Sequence, residues 1–372
     1  MENKKKVLIL SCNTGGGHNA AGKAVCSELV SRNVECEMMD FYAITSPVIS
    51  KGVSNSYLGI IKRVPRLFGV MYNAAGAIKF KRVKSAAYFV NSLQAIPLRK
   101  IIEENGYNVV VMPHIFPSQA LTSLEKHSDT KVLSISIGTD YDYVPFSQEV
   151  SPDYFVLPHA DIKGQYIKEG IPESKLLSIG IPVNPSFTVK IEKSEARRQL
   201  GIAKDKNCVL IMSGSMGFGD AGELMEGLIA RYGDNISIVM LGGNNEKLKR
   251  SVRERFAKYP AVKVVDFTSK VSLFMDAADV ILTKPGGLTT TEFAAKGVPA
   301  IFTKPIPGCE TKNAQFFTSR GMALNCPSTE EQLAAIHYLL NNDDARRAMV
   351  RAQRENINQN SARDLCDFIL SR

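Results

Sequence analysis

The sequence predicts an α/β protein built from two Rossmann-like halves, on three observations. Apolar runs at Val7–Cys12, Val209–Met212 and Val280–Leu282 each lead into a glycine-rich loop and then a helix-like segment. The runs are continuous rather than alternating, as expected of parallel strands covered on both faces. A chain of 372 residues exceeds one typical core and fits two domains.

The first half, taken as residues 1–170, opens with the strand Val7–Cys12, the loop Asn13-Thr14-Gly15-Gly16-Gly17-His18 and a helix over Ala20–Val30. The loop is not the G-x-G-x-x-G of dinucleotide sites. Gly16 and Gly17, with Gly15, let the backbone come close to a ligand, and His18 at the helix start projects into the same space. A lone histidine is more often structural; its place after three glycines at the carboxyl end of a first strand favours a functional reading. Further strands are expected at Val34–Asp40, Val109–Pro113, Val132–Gly138 and Phe155–Pro158, followed by a helix over Ile162–Glu169. The loops Pro113–Ser118 and Thr139–Phe146, the second carrying Asp140, leave the same strand ends as His18 and should line one cleft. The Gly170–Asn184 stretch, closing on Gly180-Ile181-Pro182-Val183-Asn184-Pro185, reads as a stiff connection between domains.

The second half, 185–345, repeats the scheme with strands Val209–Met212, Ile236–Leu241, Val262–Val265, Val280–Leu282 and Ala300–Phe302. The loop Ser213-Gly214-Ser215-Met216-Gly217-Phe218-Gly219 lacks the closing Gly-Lys-Ser/Thr of a P-loop. Lys284-Pro285-Gly286-Gly287 opens a helix over Thr289–Lys296 that Gly297 ends. Free N–H groups at that start, the helix dipole and two glycines suit phosphate, and Glu292 one turn on can accept from ribose hydroxyls. An ordinary crossover with a glycine turn would look similar, but Glu310 and Asn313 at the mouth of the next strand add polar groups where open parallel sheets bind ligands. A short strand near Ala323–Asn325 and helices over Glu330–Leu340 and roughly Asp344–Phe368 complete the chain.

Hydrophobic content of 44% with 22% charged residues is ordinary for a folded domain. No run approaches the ~18–20 apolar residues of a membrane span, and the start is too short for a signal peptide, so a cytoplasmic protein is expected. Seven cysteines form no CxxC and no zinc-like cluster and read as reduced thiols. The net charge of +9 is concentrated: from Asp40 to Glu103 no acidic residue intervenes, while ten Lys or Arg do. Segment 44–100 interleaves these cations with apolar residues, as helices that lie on an anionic membrane surface do. Packed core with solvated charges and a nucleic-acid face are the competing readings; nucleic acid is the least favoured.

Thr283-Lys284-Pro285-Gly286-Gly287, Thr291-Glu292, Gly297-x-Pro299 and Pro307-Gly308-x-Glu310-x-x-Asn313, with Gly15-Gly16-Gly17-His18 at the N-terminus, resemble the family of monogalactosyldiacylglycerol synthases and processive diacylglycerol glucosyltransferases. The enzyme that adds N-acetylglucosamine to lipid I is a more distant relative. The resemblance implies the GT-B architecture, two Rossmann-like domains facing across a cleft, with the acceptor in the first and a UDP-sugar in the second. A last helix, about 350–372, would cross back to the first domain. The resemblance implies a cytoplasmic enzyme on the inner face of the cell membrane that moves glucose or galactose from UDP to diacylglycerol with inversion. His18 or Asp140 would be the base. Ser213, Gly214, Ser215, Met216 and Gly217 would contact the diphosphate together with Lys284 through Thr289, including Pro285, Gly286, Gly287 and Leu288. Phe267 and Thr268 would hold the uracil through backbone groups, Glu292 the ribose, and Glu310 and Asn313 the sugar or phosphate. No metal and no cofactor are expected; Asp140-x-Asp142 looks like the metal-binding pair of a different glycosyltransferase fold, but a helix N-terminus can neutralise the leaving group instead. A lipid I-like acceptor, a UDP-N-acetylglucosamine 2-epimerase and a non-catalytic nucleotide-binding module are the alternatives.

Overall fold

The computed structural model describes residues 4–13, 16–46, 84–212 and 221–372. Contacts gather the chain into two compact units, 1–185 with 307–309 and 358–372, and 186–306 with 310–357.

In the first unit six strands, β1 (Lys6–Ser11), β2 (Glu35–Asp40), β3 (Val109–Met112), β4 (Leu133–Ile137), β5 (Tyr154–Val156) and β6 (Leu176–Leu177), form one sheet in the order β2-β1-β3-β4-β5-β6. Every neighbouring pair is parallel, with Val7 opposite both Cys36 and Val109. Parallel strands need crossovers, and four longer helices are α1 (Gly16–Ser31), α2 (Ala86–Ser92), α3 (Ala95–Asn105) and α4 (Ile115–His127). A fifth, α5 (Lys163–Lys168), is short. The continuous apolar strands are explained by cover on both faces. Leu8, Leu10, Val110 and Met112 pack with Leu98 and Ile102 of α3 and Leu121 and Leu124 of α4. Val7, Ile9, Val109 and Val111 pack with Val25 and Leu29 of α1 on the other face. Gly22 lets α1 lie close to β1: a Cβ there would stand 3.0 Å from Ile9 Cγ2.

The second unit has β7 (Asn207–Met212), β8 (Ile236–Leu241), β9 (Val262–Val265), β10 (Val280–Thr283), β11 (Ala300–Phe302) and β12 (Leu324–Asn325), in the order β12-β11-β10-β7-β8-β9, again all parallel. Its helices are α6 (Lys193–Leu200), α7 (Ala221–Tyr232), α8 (Glu246–Arg255), α9 (Val271–Ala277), α10 (Gly287–Lys296), α11 (Cys309–Thr318), α12 (Thr329–Leu340) and α13 (Asp343–Asn356). Val209, Ile211, Ile238, Met240, Val280 and Leu282 form a core with Leu224 and Leu228 of α7 and Ile336 and Leu339 of α12.

Two expectations are corrected. The single helix over Asp344–Phe368 is two, α13 and α14 (Ser361–Leu370), because at Ile357 and Asn358 the chain passes from the second unit to the first. There Asn358 Nδ2 donates to the Ile179 carbonyl and to Asp364, both 2.8 Å, and Ser361 Oγ to the Ile181 carbonyl at 2.7 Å. Leu365, Cys366 and Ile369 of α14 then join the Val7, Ile9 and Val25 cluster. Glu310 and Asn313, read as loop residues, lie on α11. Of the basic segment 44–100, residues 47–83 fall outside the described residues.

Candidate active site

Strand order fixes where each unit can bind. In the first sheet β1 lies between β2 and β3, so the crossovers run to opposite sides and a crevice opens beyond the carboxyl ends of β1 and β3. The second sheet has the same switch between β7 and β10.

At the first switch point Gly16 and Gly17 are the first two residues of α1, and His18 is the third. Among the described residues a Cβ on Gly16 would meet nothing within 4 Å. His18 Nδ1 lies 2.8 Å from the Pro113 carbonyl oxygen beyond β3, and 2.9 Å from Thr139 Oγ1 beyond β4. A carbonyl can only accept, so Nδ1 carries the proton and Nε2 keeps its lone pair. Burial lowers the pKa of His18, against a smaller opposing effect of the Pro113 bond, so the ring stays neutral and basic at Nε2.

His114 packs edge-on against His18, ring centroids 4.6 Å apart. Its Nδ1 accepts from the Phe116 N–H at 3.2 Å, capping α4, so in the neutral ring its proton sits on Nε2. Burial, then the neighbouring His18, lower its pKa well below the ordinary value. Side by side, the two imidazoles carry opposite tautomers, one with a lone pair and one with an N–H at Nε2. Both border a cavity of about 420 Å3 whose other walls include Asp140, Ile115, Phe116, Ile137, Val144, Phe146 and Phe155. Such a wall suits an apolar molecule with a hydroxyl at one end. Sequence reasoning puts the loops carrying His114 and Thr139 in the cleft but gives these residues no role; the available signal is two histidines at the ends of adjacent parallel strands.

At the second switch point Gly286 caps α10 in an extended conformation and Gly287 is its first residue. The helix thus begins two residues earlier than the sequence suggests. Backbone N–H groups of Gly287, Leu288 and Thr289, in the first turn, have no intrahelical partner. Thr290 and Thr291 both donate their hydroxyls back to the Gly287 carbonyl at 2.8 Å, which fixes the turn. Lys284 is half-buried; burial lowers its pKa, and Glu310 opposes this. Glu310 accepts the Ile306 N–H at 2.7 Å, while burial raises its pKa. Among the described residues no charge offsets the burial of Glu292, which pushes its carboxyl up to about 8. An uncharged carboxyl can both donate to and accept from a ribose diol.

Asn313 is fully buried, and its Nδ2 donates to the Pro285 carbonyl at 3.0 Å, so it braces the Lys284–Gly287 turn from α11. Phe267, after β9, is 73% exposed, and Thr268 Oγ1 accepts the Lys270 N–H at 3.0 Å. The expected diphosphate loop, Ser213, Gly214, Ser215, Met216 and Gly217, lies outside the described residues. Among the described residues no group of three or more His, Cys, Asp or Glu could hold a metal ion.

Comparison with known proteins agrees with both halves. Residues 18–183 match the monogalactosyldiacylglycerol (MGDG) synthase family and 208–367 the glycosyltransferase family 28 C-terminal domain. The first half of the chain is thus similar to monogalactosyldiacylglycerol synthases and the second to the C-terminal domain of glycosyltransferase family 28. Similar proteins include the processive diacylglycerol beta-glucosyltransferase of Bacillus subtilis strain 168, 26% identical over 373 residues, with 100% of this chain and 96% of that one covered. The Staphylococcus epidermidis protein of the same name is 25% identical, with 98% and 92% covered. Among solved structures, Acinetobacter baumannii MurG superposes with TM-score 0.64 at 16% identity, covering 99% of this chain and 100% of that one. The UDP-GlcNAc 2-epimerase of Neisseria meningitidis gives 0.64 at 13%, covering 99% and 100%. These likenesses establish the GT-B fold for this chain.

Proposed function

We propose that the protein transfers a hexose from a UDP-sugar to the free hydroxyl of diacylglycerol, inverting the anomeric carbon. The observation that carries the reading is His18, with Nδ1–H tied to Pro113 and Thr139 and a basic Nε2 bordering an apolar cavity. The acceptor hydroxyl gives its proton to His18 Nε2 as its oxygen bonds to the anomeric carbon. The bond from that carbon to the β-phosphate oxygen breaks, and its electron pair leaves with UDP. Asp140 borders the same cavity and is the alternative base. His114 Nε2–H donates to an acceptor oxygen and so helps to orient the hydroxyl.

In the second unit the free N–H groups of Gly287, Leu288 and Thr289, with Lys284, stabilise the departing diphosphate. Glu292 holds the ribose, Glu310 the sugar, and the loops of Ser213–Gly219 and Phe267–Thr268 the diphosphate and uracil. The proposal needs no metal and no other cofactor. The apolar wall of the cavity favours this reading over an epimerase, which has no acceptor to seat. The relatives' names favour glucose as the hexose.

Diacylglycerol resides in a bilayer, so the enzyme works at the inner face of the cell membrane through the basic segment 44–100. Supporting this, Phe89 and Val90 of α2, Leu93 just after it and Ile96 of α3 are 59%, 60%, 75% and 82% exposed, with Arg99 and Lys100 close behind in sequence. No helix among the described residues is long and apolar enough to cross a membrane.

The test is product formation from diacylglycerol in anionic vesicles, with UDP-glucose or UDP-galactose and a chelator. A hexosyl-diacylglycerol from one donor is expected, and His18→Ala should cut the rate by about 10²–10⁴-fold with UDP affinity unchanged. UDP binding with no product from either donor would overturn the proposal.

A further inference from the structure

A second cavity, of about 320 Å3, lies in the first unit apart from His18, where α2 and α4 approach the chain around Lys131 and Ser151. Its wall carries three ammonium groups, from Lys84, Lys126 and Lys131, and one carboxyl, Glu125. Lys84 donates to the Glu149 backbone carbonyl at 2.6 Å and Lys131 to the Glu125 backbone carbonyl at 3.0 Å; the Glu149 and Glu125 carboxylates act on these ammonium groups through space, with no salt bridge to them among the described residues. Lys126 has no carboxylate partner among the described residues, and it is close enough to Lys84 to repel it. Thr122 Oγ1 accepts the Ser151 N–H at 3.0 Å, which leaves the Thr122 hydroxyl proton available as a donor.

The one carboxyl in the wall, Glu125, and the Glu149 carboxylate that acts on Lys84 together fall short of three ammonium groups. Glu125 is raised to about 7, by burial first and by Asp153 second, against Lys131, a bond from the Val132 N–H and Lys175. Near neutral pH it is charged only part of the time. Like-charged ammonium groups gathered in a concave wall with hydroxyl donors are costly when the cavity holds water alone, and the cost is relieved by an anion with several acceptor oxygens. None of these residues belongs to the proposed transfer site.

We propose that the cavity formed by Lys84, Lys126, Lys131 and Thr122 is a phosphate-binding site, which takes either the head group of an anionic phospholipid or a free phosphate. Exposed Phe89 and Val90 lie on α2, the helix that also supplies Tyr88 to the cavity wall, which is where a lipid head group would be met.

Isothermal titration of the full chain with inorganic phosphate, with glycerol 1-phosphate and with phosphatidylglycerol in phosphatidylcholine vesicles tests the site. Saturable binding is expected, with the dissociation constant raised at least about tenfold in Lys126→Gln/Lys131→Gln. Glu125→Gln, which removes the competing carboxyl, should tighten it. Arg99→Gln/Lys100→Gln removes the same charge outside the cavity and should leave soluble phosphate binding as in the wild type. Loss seen with the soluble phosphates identifies free phosphate as the ligand; loss seen with vesicles alone identifies the lipid. Equal binding by Lys126→Gln/Lys131→Gln and the wild type, an equal loss of soluble phosphate binding in the Arg99/Lys100 variant, or no saturable binding at all would overturn the proposal.

Discussion

At the scale of single residues, the chemistry rests on which nitrogen holds a proton. Pro113 fixes His18 with its lone pair at Nε2, and the Phe116 N–H fixes His114 with its proton there. Burial keeps both rings neutral below the ordinary histidine value of 6.5. A base with a lowered pKa remains competent as pH falls and is lost only below that pKa. The acid limb of a kcat/KM profile is therefore expected below pH 6.5, and a limb above it would contradict the assignment of His18. The same burial has a stability consequence: below pH 6.5 the unfolded chain binds protons that the folded rings resist, so stability declines there. His114→Asn, which retains a side-chain acceptor for the cap, should preserve the melting temperature while lowering kcat/KM.

At the scale of elements, helix α10 is held at both ends. Its N-terminal turn is fixed by Thr290 and Thr291 on the Gly287 carbonyl and by Asn313 on Pro285. At its C-terminal end Gly297 takes the left-handed conformation, with φ of 67°, and its N–H returns to the Ala294 and Phe293 carbonyls. Lys296, in the last turn, pairs with Asp276 at 2.7 Å, with both side chains at or below 2% exposure, and also reaches the Val189 carbonyl. A buried pair is weak evidence of net stabilisation, but removing one partner strands the other. Lys296→Met should cost about 3–5 kcal/mol in urea unfolding, and Lys296→Met/Asp276→Leu should recover much of it. A loss in the single variant below about 1 kcal/mol would mean that Asp276 finds water or another donor.

At the scale of the whole molecule, the C-terminal segment completes the first unit's core. Leu365 and Ile369 are fully buried against Val7, Ile9 and Val25, more than 330 residues earlier in the chain. Leu365→Ala should destabilise the protein by about 2–5 kcal/mol, read as a lower melting temperature, although the residue is remote from every proposed substrate contact. An unchanged melting temperature would show that α14 adds nothing to the stability of that core.

The sequence by itself determined both parallel sheets, their glycine-rich strand ends and the place of His18, because continuous apolar runs and glycine loops are local signals with local causes. It also singled out Lys284, Gly286, Gly287 and Glu292, whose spacing about one helix start is local too. Tertiary structure alone decided that Asn313 is a buried brace, that His114 shares His18's cavity in the opposite tautomer, and that the last helical stretch breaks at Asn358. Each of those facts depends on a partner far away in sequence: Pro285, His18 and Ile179. A pattern read along the chain carries periodicity, but it does not carry the hydrogen-bond partner that fixes a proton or ends a helix.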